Sequence, residues 1–174
     1  PDRRLPQVSA KAATKVLGGD VALTATVNDQ SVALSAPPGS PLRFRIAIRN
    51  TGTAELRGIT LRATLDAASV DDRSILNFSA IEDPGNGTAI GQQKTATIRT
   101  GTITWTAQEI PDLAAIAPGE QRLIAFTLPL RGGDAVTYPA NAAVTFTASA
   151  SITATGTAEK PRHITTPLVM ITVK

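Results

Sequence analysis

Residues 42–65 alternate between apolar and polar side chains in two successive runs, and this alternation restricts the fold more than any other feature of the chain. A period of two residues is typical of β-strands with one buried and one exposed face. The turn sequence Asn-Thr-Gly at 50–52 separates the two runs. Two such strands must bury their apolar faces against a second sheet, so the stretch predicts a sandwich of two β-sheets. The core-facing side chains of the first run are Phe44, Ile46 and Ile48.

The remaining chain is divided into short alternating segments by 13 glycines and 12 prolines. This punctuation is typical of an all-β protein, and we expect eight to ten strands and almost no helix. Aromatic residues make up only 3% of the chain, so aliphatic side chains must supply most of the core. Trp105 and Phe126 lie on the apolar faces of further predicted strands and are therefore assigned to the core as well.

The pattern beyond the two opening runs is less regular. We interpret residues 66–73 as a turn, 75–81 as a strand and 82–93 as the longest loop. Residues 142–154 alternate over such a length that the strand is expected to bend or to pass from one sheet to the other. Residues 168–173 are apolar on both faces, which indicates a central strand or an outer face that meets another molecule.

The chain of 174 residues has the length of one domain. Residues 1–17 are polar and basic, and we interpret them as an N-terminal arm or linker before a single β-sandwich domain at 18–174. The arm is either a flexible tail or a segment that adds a strand to a neighbouring subunit. The second hypothesis predicts an interface made of weakly apolar arm residues and the outer face of the last strand. These interface candidates are Val8, Ala10, Ala12, Leu168 and Met170.

The sequence lacks the residues that several kinds of chemistry require. The chain has no cysteine, which excludes disulfides, thiol nucleophiles and thiolate metal sites. Its 17 basic residues are dispersed and its net charge is only +3, so we expect no nucleic-acid partner. No apolar run reaches the roughly 18 residues of a membrane helix, and no membrane contact is expected within this chain. His163 is the only histidine and lies in a predicted basic loop, so we expect neither an enzyme nor a cofactor.

Calcium is the one metal for which the sequence offers ligands. Asp66, Asp71 and Asp72 cluster in a predicted loop, and carboxylate oxygens suit calcium. The other interpretation is a solvated turn in which aspartates bond their own backbone, which the irregular spacing favours. Two asparagines, Asn77 and Asn86, also match the glycosylation sequon, a pattern that occurs often by chance.

Arginines are concentrated on the outward side of the two opening runs. They could together meet an anionic polymer or an acidic partner, or they could form an ordinary charged surface that keeps the protein soluble. These residues are Arg43, Arg45, Arg49 and Arg62.

Three segments in order resemble a known module. They are the proline-glycine and strand sequence ending in Asn-Thr-Gly at 38–52, the sequence Gly-Thr-Ile-Thr-Trp at 101–105, and Leu-Ala-Ala-Ile-Ala-Pro-Gly-Glu at 113–120 before an apolar strand. Their order over residues 36–130 resembles the immunoglobulin-like "conserved repeat" or S-layer-like modules of prokaryotic surface proteins. The resemblance implies an immunoglobulin-like sandwich that carries no shared catalytic residues.

The resemblance also implies a place and a role. We expect an extracellular or cell-surface structural module of a filament or pilus, an S-layer or a stalk, able to associate by strand addition. Its partners would be copies of itself or neighbouring modules of the same polypeptide. The alternative is a carbohydrate-binding or adhesive module, for which Tyr138 is the one aromatic candidate outside the predicted core faces.

Overall fold

The computed structural model describes residues 20–132, 136–159 and 161–174, together with the backbone of residues 16–17. The described chain consists of strands joined by loops, and its helical turns are two short 3-10 segments, Phe78–Ala80 and Pro111–Leu113. The strands are β1 (Val16–Leu17), β2 (Val21–Val27), β3 (Ala33–Ala36), β4 (Pro41–Asn50), β5 (Leu56–Val70), β6 (Arg73–Ser74), β7 (Thr88–Thr95), β8 (Ile98–Trp105), β9 (Ala115–Ile116), β10 (Gln121–Pro129), β11 (Ala143–Thr155), β12 (Arg162–Thr165) and β13 (Val169–Val173).

The strands form two sheets, which confirms the predicted all-β sandwich. The small sheet has the order β1-β2-β4-β10 and is antiparallel. The large sheet has the order β3-β13-β11-β5-β8-β7. Three short strands pair outside this order: β12 pairs with β11, and β6 and β9 pair with β5. Extension of the large sheet beyond β5 by two further strands is the arrangement of variable-type immunoglobulin domains. The fold is therefore an immunoglobulin-like sandwich.

The core lies between β4 of the small sheet and β5 of the large sheet. Their inward side chains are fully buried because successive residues of a strand point to opposite faces. Four aromatic rings meet at the centre: Phe44 stacks on Phe126 with ring centroids 4.8 Å apart, and Phe146 meets Phe44 edge-on at 5.0 Å. Trp105 lies 5.5 Å from Phe126. The residues assigned to the core from sequence are all at most 2% exposed, namely Phe44, Ile46, Ile48, Trp105 and Phe126.

The side chain of Asn50 joins the loops at one end of the sandwich. It is fully buried, and its Nδ2 donates to the carbonyls of Ala54 at 2.8 Å and Ile116 at 2.9 Å. Its Oδ1 accepts the N–H of Gly52 at 3.0 Å. Gly119 in turn donates its N–H to the Asn50 carbonyl at 3.0 Å. The Asn-Thr-Gly and Pro-Gly segments that carry the resemblance are therefore in direct contact, although more than 60 residues separate them in sequence.

The interpretation of residues 66–73 as a turn is wrong for its first five residues. Strand β5 continues to Val70, and only Asp71 and Asp72 form the turn to β6. Both have positive φ, 49° and 58°, as a two-residue type I′ hairpin turn requires. The strand can carry a polar residue such as Asp66 because the outer face of the sheet is open to solvent.

The predicted strand at 75–81 is also wrong, and the predicted loop at 82–93 is too long. Residues 76–82 run along the edge of β10 and touch it at isolated points: the N–H groups of Asn77 and Glu82 donate to the carbonyls of Pro129 and Thr127. The loop then ends before Thr88, where β7 begins. All residues of β7 are exposed, so neither face produces the apolar alternation by which strands are recognised.

The long strand β11 stays within the large sheet rather than passing to the other one. Its first half pairs with β13 and its second half with β12, and β5 lies along its other side. Arg162 and His163, which the sequence places in a basic loop, instead belong to strand β12. Strand β13 is paired on both sides, with β11 and with β3, so it is not free to add to a neighbouring molecule.

Candidate assembly surfaces

Strand β2 begins and strand β13 ends at opposite ends of the sandwich. Val21, the first residue of β2, pairs with Asn50 beside the turn between β4 and β5. Strand β13 ends where the N–H of Val173 donates to the carbonyl of Ala142, before the start of β11 (2.9 Å). Strand β11 returns to the turn between β4 and β5 only at its last residues, which pair with the start of β5. Tension between the start of β2 and the end of β13 would therefore act along the length of the strands, whereas β1, which precedes β2, runs back along it.

Strands β3 and β13 pair in parallel and connect the beginning of the domain with its end. The N–H of Met170 donates to the carbonyl of Val32 at 2.9 Å, and the N–H of Lys174 donates to the carbonyl of Ala36 at 3.1 Å. Opposite pulls on β3 and β13 would slide one strand along the other. Sliding loads all the hydrogen bonds at once, whereas peeling breaks them one after another, so this pair is arranged to resist tension.

Strand β7 leaves one edge of the large sheet open. It pairs with β8 on one side, and the sheet ends there. All eight of its residues are exposed, and the side chain of Ile90 is 62% exposed. An unprotected edge strand presents unpaired N–H and C=O groups to which another chain can add.

The hydrogen-bond alternation identifies which β7 residues face outward. The N–H of Ser69 donates to the carbonyl of Thr97 at 2.8 Å, so the odd-numbered residues of β8 bond β5 and the even-numbered residues bond β7. Gly91 lies opposite Gly101 in the register. Ala89 and Gly91 therefore direct their N–H and C=O groups away from the sheet. A Cβ added at Gly91 would meet no heavy atom within 4 Å, so this position has room for a substitution.

The small sheet has a shorter open edge along β10. The segment 76–82 covers its second half, because Thr127 and Glu82 exchange two backbone hydrogen bonds of 2.8 and 3.0 Å. Residues 121–125 continue beyond that cover, and Leu123 there is 60% exposed. The edge of β10 is thus partly protected, whereas that of β7 is not.

The structure places the interface candidates in different settings. Leu168 and Met170 are each 46% exposed, and Met170 bonds the backbone of Val32, a third exposed apolar residue. Val8, Ala10 and Ala12 lie outside the described residues. The last two residues of the predicted arm, Val16 and Leu17, pair with β2 of the same molecule.

The aspartates considered for calcium are divided between a strand and a turn. Asp66 projects from β5, and its carboxylate accepts hydrogen bonds from Lys94 and Thr100, both at 2.5 Å. Partial burial is the largest influence and raises the pKa of Asp66, but the hydrogen bonds from Lys94 and Thr100 and the Lys94 charge outweigh it and lower the pKa overall. Asp71 and Asp72 form the turn to β6. Across the described ranges, no three His, Cys, Asp or Glu side chains are grouped to hold a metal ion.

This arrangement predicts that a chelator leaves the stability of the protein unchanged. Because Lys94 and Thr100 already satisfy the Asp66 carboxylate, removal of calcium should leave no uncompensated charge. The measurement is thermal unfolding with excess chelator, followed by excess calcium. A chelator-dependent fall in Tm that calcium restores would instead show a bound ion, because a ligand of the native state raises Tm.

A carboxylate that the sequence did not connect with the core lies directly over Trp105. Asp83 accepts the indole Nε1–H of Trp105 at 2.9 Å. It also accepts the backbone N–H groups of Gly85 at 2.9 Å and Gly87 at 2.7 Å, so it organises the loop before β7. A side chain at Gly87 would overlap the indole. The sequence signal is the Pro-Gly-Asn-Gly cluster at 84–87, which indicates a turn but not what the turn covers.

The four arginines do not form one surface. Arg43, Arg45 and Arg49 lie on the outer face of the small sheet, and Arg45 pairs with Asp29 at 2.5 Å. Arg62 projects from β5, on the outer face of the large sheet and therefore on the opposite side of the sandwich. The alternative of a joint four-arginine surface is therefore wrong, because the two opening runs belong to different sheets.

His163 and Tyr138 both have identified partners. The His163 ring projects from β12, with Nδ1 3.1 Å from Ser151 Oγ and Nε2 3.4 Å from Thr165 Oγ1. Tyr138 is half-buried against the core, and its hydroxyl donates to the carbonyl of Arg131. Burial raises the pKa of Tyr138. The Tyr138 ring therefore does not stand free on the surface, whereas His163 lies on the exposed side of β12.

In the part of the chain that the structure describes, there is no helix with the length and apolar character to cross a membrane.

No protein-family model matches the chain, and no curated protein matches it in sequence. Solved structures with a similar fold include BcpA, the major pilin subunit of Bacillus cereus, at 11% identity and a TM-score of 0.48, covering 88% of this chain and 40% of the pilin. They also include AggA, the major subunit of aggregative adherence fimbriae type I from Escherichia coli, at 13% identity and a TM-score of 0.42. This match covers 91% of this chain and 98% of AggA. AvmM, which catalyses macrocyclization in alchivemycin A biosynthesis, aligns at 11% identity and a TM-score of 0.46. This match covers 82% of this chain and 86% of AvmM.

The chain spans less than half the length of the BcpA pilin that it matches. The likeness to these structures concerns the fold alone, and a fold by itself does not select a function. The structure shows an immunoglobulin-like module in which β2 begins and β13 ends at opposite poles, β3 and β13 pair in parallel, and the edge along β7 has no partner among the described residues.

Proposed function

We propose that the protein is a structural module of a prokaryotic cell-surface assembly, such as a filament, an S-layer or a stalk, and that it is not an enzyme. The observation that carries the proposal is the parallel pair of β3 and β13 in a domain in which β2 begins and β13 ends at opposite poles. A module in this arrangement passes tension from one neighbour to the next along its strands. The open edge of β7 adds a lateral surface for copies of the chain or neighbouring modules.

The placement of the aromatic residues favours this role over a carbohydrate-binding module. Flat sugar surfaces are commonly bound by exposed aromatic rings. Trp105 is fully buried, and the Tyr138 ring packs against the core. Phe44, Phe126 and Phe146 form the centre of the core. These five aromatic residues thus pack in the core or against it.

The mechanical role predicts that Met170→Pro lowers the force needed to unfold the domain. Proline has no N–H, so this substitution removes the hydrogen bond to the Val32 carbonyl in the pair of β3 and β13. The measurement is single-molecule force spectroscopy on tandem copies pulled through their ends. Unfolding under force is governed by the unfolding barrier, which the loss of a bond between the two strands under tension should lower.

Two control variants separate the strands under tension from general destabilisation. Gly91→Pro places the same residue type on β7, away from β3 and β13, and should leave the unfolding force unchanged. Ile152→Val weakens the core without touching β3 or β13, and should lower the force less than Met170→Pro at equal loss of equilibrium stability. An unfolding force for Met170→Pro equal to that of the wild type would contradict the mechanical role.

A further inference from the structure

A groove lies between β7 and the segment that follows β6. Its volume is about 280 Å³, and it opens beside the unpaired edge of β7. It combines apolar and cationic side chains. The lining includes Arg73, Phe78, Ala89, Gly91, Arg99 and Arg131.

The apolar part of the groove is held in place by close packing. The ring of Phe78 lies against Gly101, where any added Cβ would overlap the ring. Ala89 and Gly91 are small and belong to the same face as Gly101, since Gly91 pairs with it. Their backbone groups are also those that point away from the sheet. A strand added at this edge would therefore direct every second side chain into the groove.

The cationic part consists of three arginines without acidic partners. Among the described residues, no carboxylate lies within ion-pair distance of Arg73, Arg99 or Arg131. Two of them are fixed by neutral acceptors: the Nε of Arg131 donates to the Ser74 carbonyl at 2.7 Å, and the Nε of Arg99 donates to Gln93 at 2.5 Å. Asp71 lines the adjoining cavity with Arg73 and Arg131 but forms no ion pair with them.

Guanidinium groups that are oriented and lack a carboxylate partner favour binding of an anion. Arginine binds carboxylates in pairs of parallel hydrogen bonds, and such charge-assisted bonds are stronger than neutral ones. The groove therefore complements an extended peptide that carries glutamate or aspartate at alternate positions. The edge of β7 would bind its backbone, and the arginines would bind its side chains.

We propose that β7 and this groove bind an acidic, extended segment of a neighbouring protein module by strand addition. The proposal rests on the lateral surface named under the proposed function, but not on the parallel pair of β3 and β13. It also disfavours the arm of a second copy as the donor strand. Residues 1–15 carry four basic side chains and one acidic one, and like charges beside the three arginines would repel this segment.

The test uses a labelled synthetic heptapeptide that alternates valine and glutamate, with glutamine-for-glutamate and lysine-for-glutamate versions as comparisons. Fluorescence anisotropy with the full chain should show the glutamate peptide binding at least about tenfold more tightly than the glutamine peptide. The lysine peptide and a peptide of residues 1–15 should bind more weakly still. Added salt should weaken binding of the glutamate peptide because Arg73 is exposed and Arg99 and Arg131 are only half-buried.

Protein variants identify the site. The double variant Arg73→Gln/Arg99→Gln should lose about tenfold or more in affinity for the glutamate peptide. The matched control Arg43→Gln/Arg49→Gln removes the same charge from the outer face of the small sheet and should bind like the wild type. Gly91→Pro should abolish binding, because it removes an outward N–H and places a ring at the edge.

Three results would overturn the proposal. One is equal binding of the glutamate and glutamine peptides, or no binding of either. Another is an equal loss of affinity in the control double variant. The third is stronger binding of oligogalacturonate that persists in Gly91→Pro, which would identify an acidic polysaccharide as the ligand of the arginines. Each of these would leave the force measurement on β3 and β13 unaffected, so the two proposals fail separately.

Discussion

Replacement of Trp105 by alanine is expected to lower the free energy of unfolding by about 3–5 kcal/mol. The indole is fully buried between the sheets and packs 5.5 Å from the Phe126 ring. Its removal leaves a cavity that the surrounding strands cannot close, and it takes the N–H donor away from Asp83. The measurement is urea unfolding followed by circular dichroism, because Trp105 is the only tryptophan and its fluorescence disappears with it.

A second variant separates the ring volume from the hydrogen bond. Trp105→Phe keeps most of the apolar contact but removes the donor to Asp83, so we expect a smaller loss of about 1–3 kcal/mol. Iodide should not quench Trp105 fluorescence in the native protein. A change in Tm of only a degree or two for Trp105→Ala, together with free quenching by iodide, would place the indole on the surface and favour a ligand-binding role.

Replacement of Asn50 by alanine is expected to cost about 2–4 kcal/mol. The variant would leave the buried carbonyls of Ala54 and Ile116 and the N–H of Gly52 without the partner that Asn50 provides. It would also separate the loop after β4 from the loop before β10. Urea unfolding measures the loss, with Asn77→Ala as a control, since Asn77 makes no side-chain cap hydrogen bond at its short helical turn. Equal effects of the two substitutions would contradict the role of Asn50.

The substitution Asn50→Asp gives the same site a pH dependence. The introduced carboxyl would face two carbonyl oxygens in a buried position, so its folded-state pKa should lie above its unfolded value of about 3.9. A group whose pKa is raised on folding contributes most below the unfolded pKa and loses that contribution as the pH rises through the folded value. The variant should therefore be closest to the wild type near pH 4 and less stable at pH 7. A difference between variant and wild type that does not change with pH would contradict this prediction.

The candidate assembly surface was only partly accessible from sequence. The apolar residues on both faces of 168–173 indicate a central strand or an outer face that meets another molecule. In the structure, β13 is paired on both sides, and the side chains of Leu168 and Met170 are exposed. The open edge of β7 was assigned to a loop. The three arginines of the groove are separated in sequence by more than 25 residues each, and no local pattern relates them.

The sequence by itself determined which residues are buried where one face of a strand meets the core. Burial of one face imposes a period of two on strands such as β4, and that period can be read without knowing the partner strand. Asn50 and the Pro-Gly turn were likewise visible as local signals. These features depend on neighbours in the chain or on a single buried face, so they can be recognised from the local sequence.

Only the tertiary structure decided how the strands pair and which edges stay open. Strand β7 has no buried face, so pairing with β8 alone makes it a strand, and that partner is fixed by the arrangement of the whole large sheet. The two opening runs have the same local pattern, yet they lie in opposite sheets and separate Arg62 from the arginines of β4. Pairing is a contact between distant segments, and its free energy depends on the assembled core rather than on the residues of either strand.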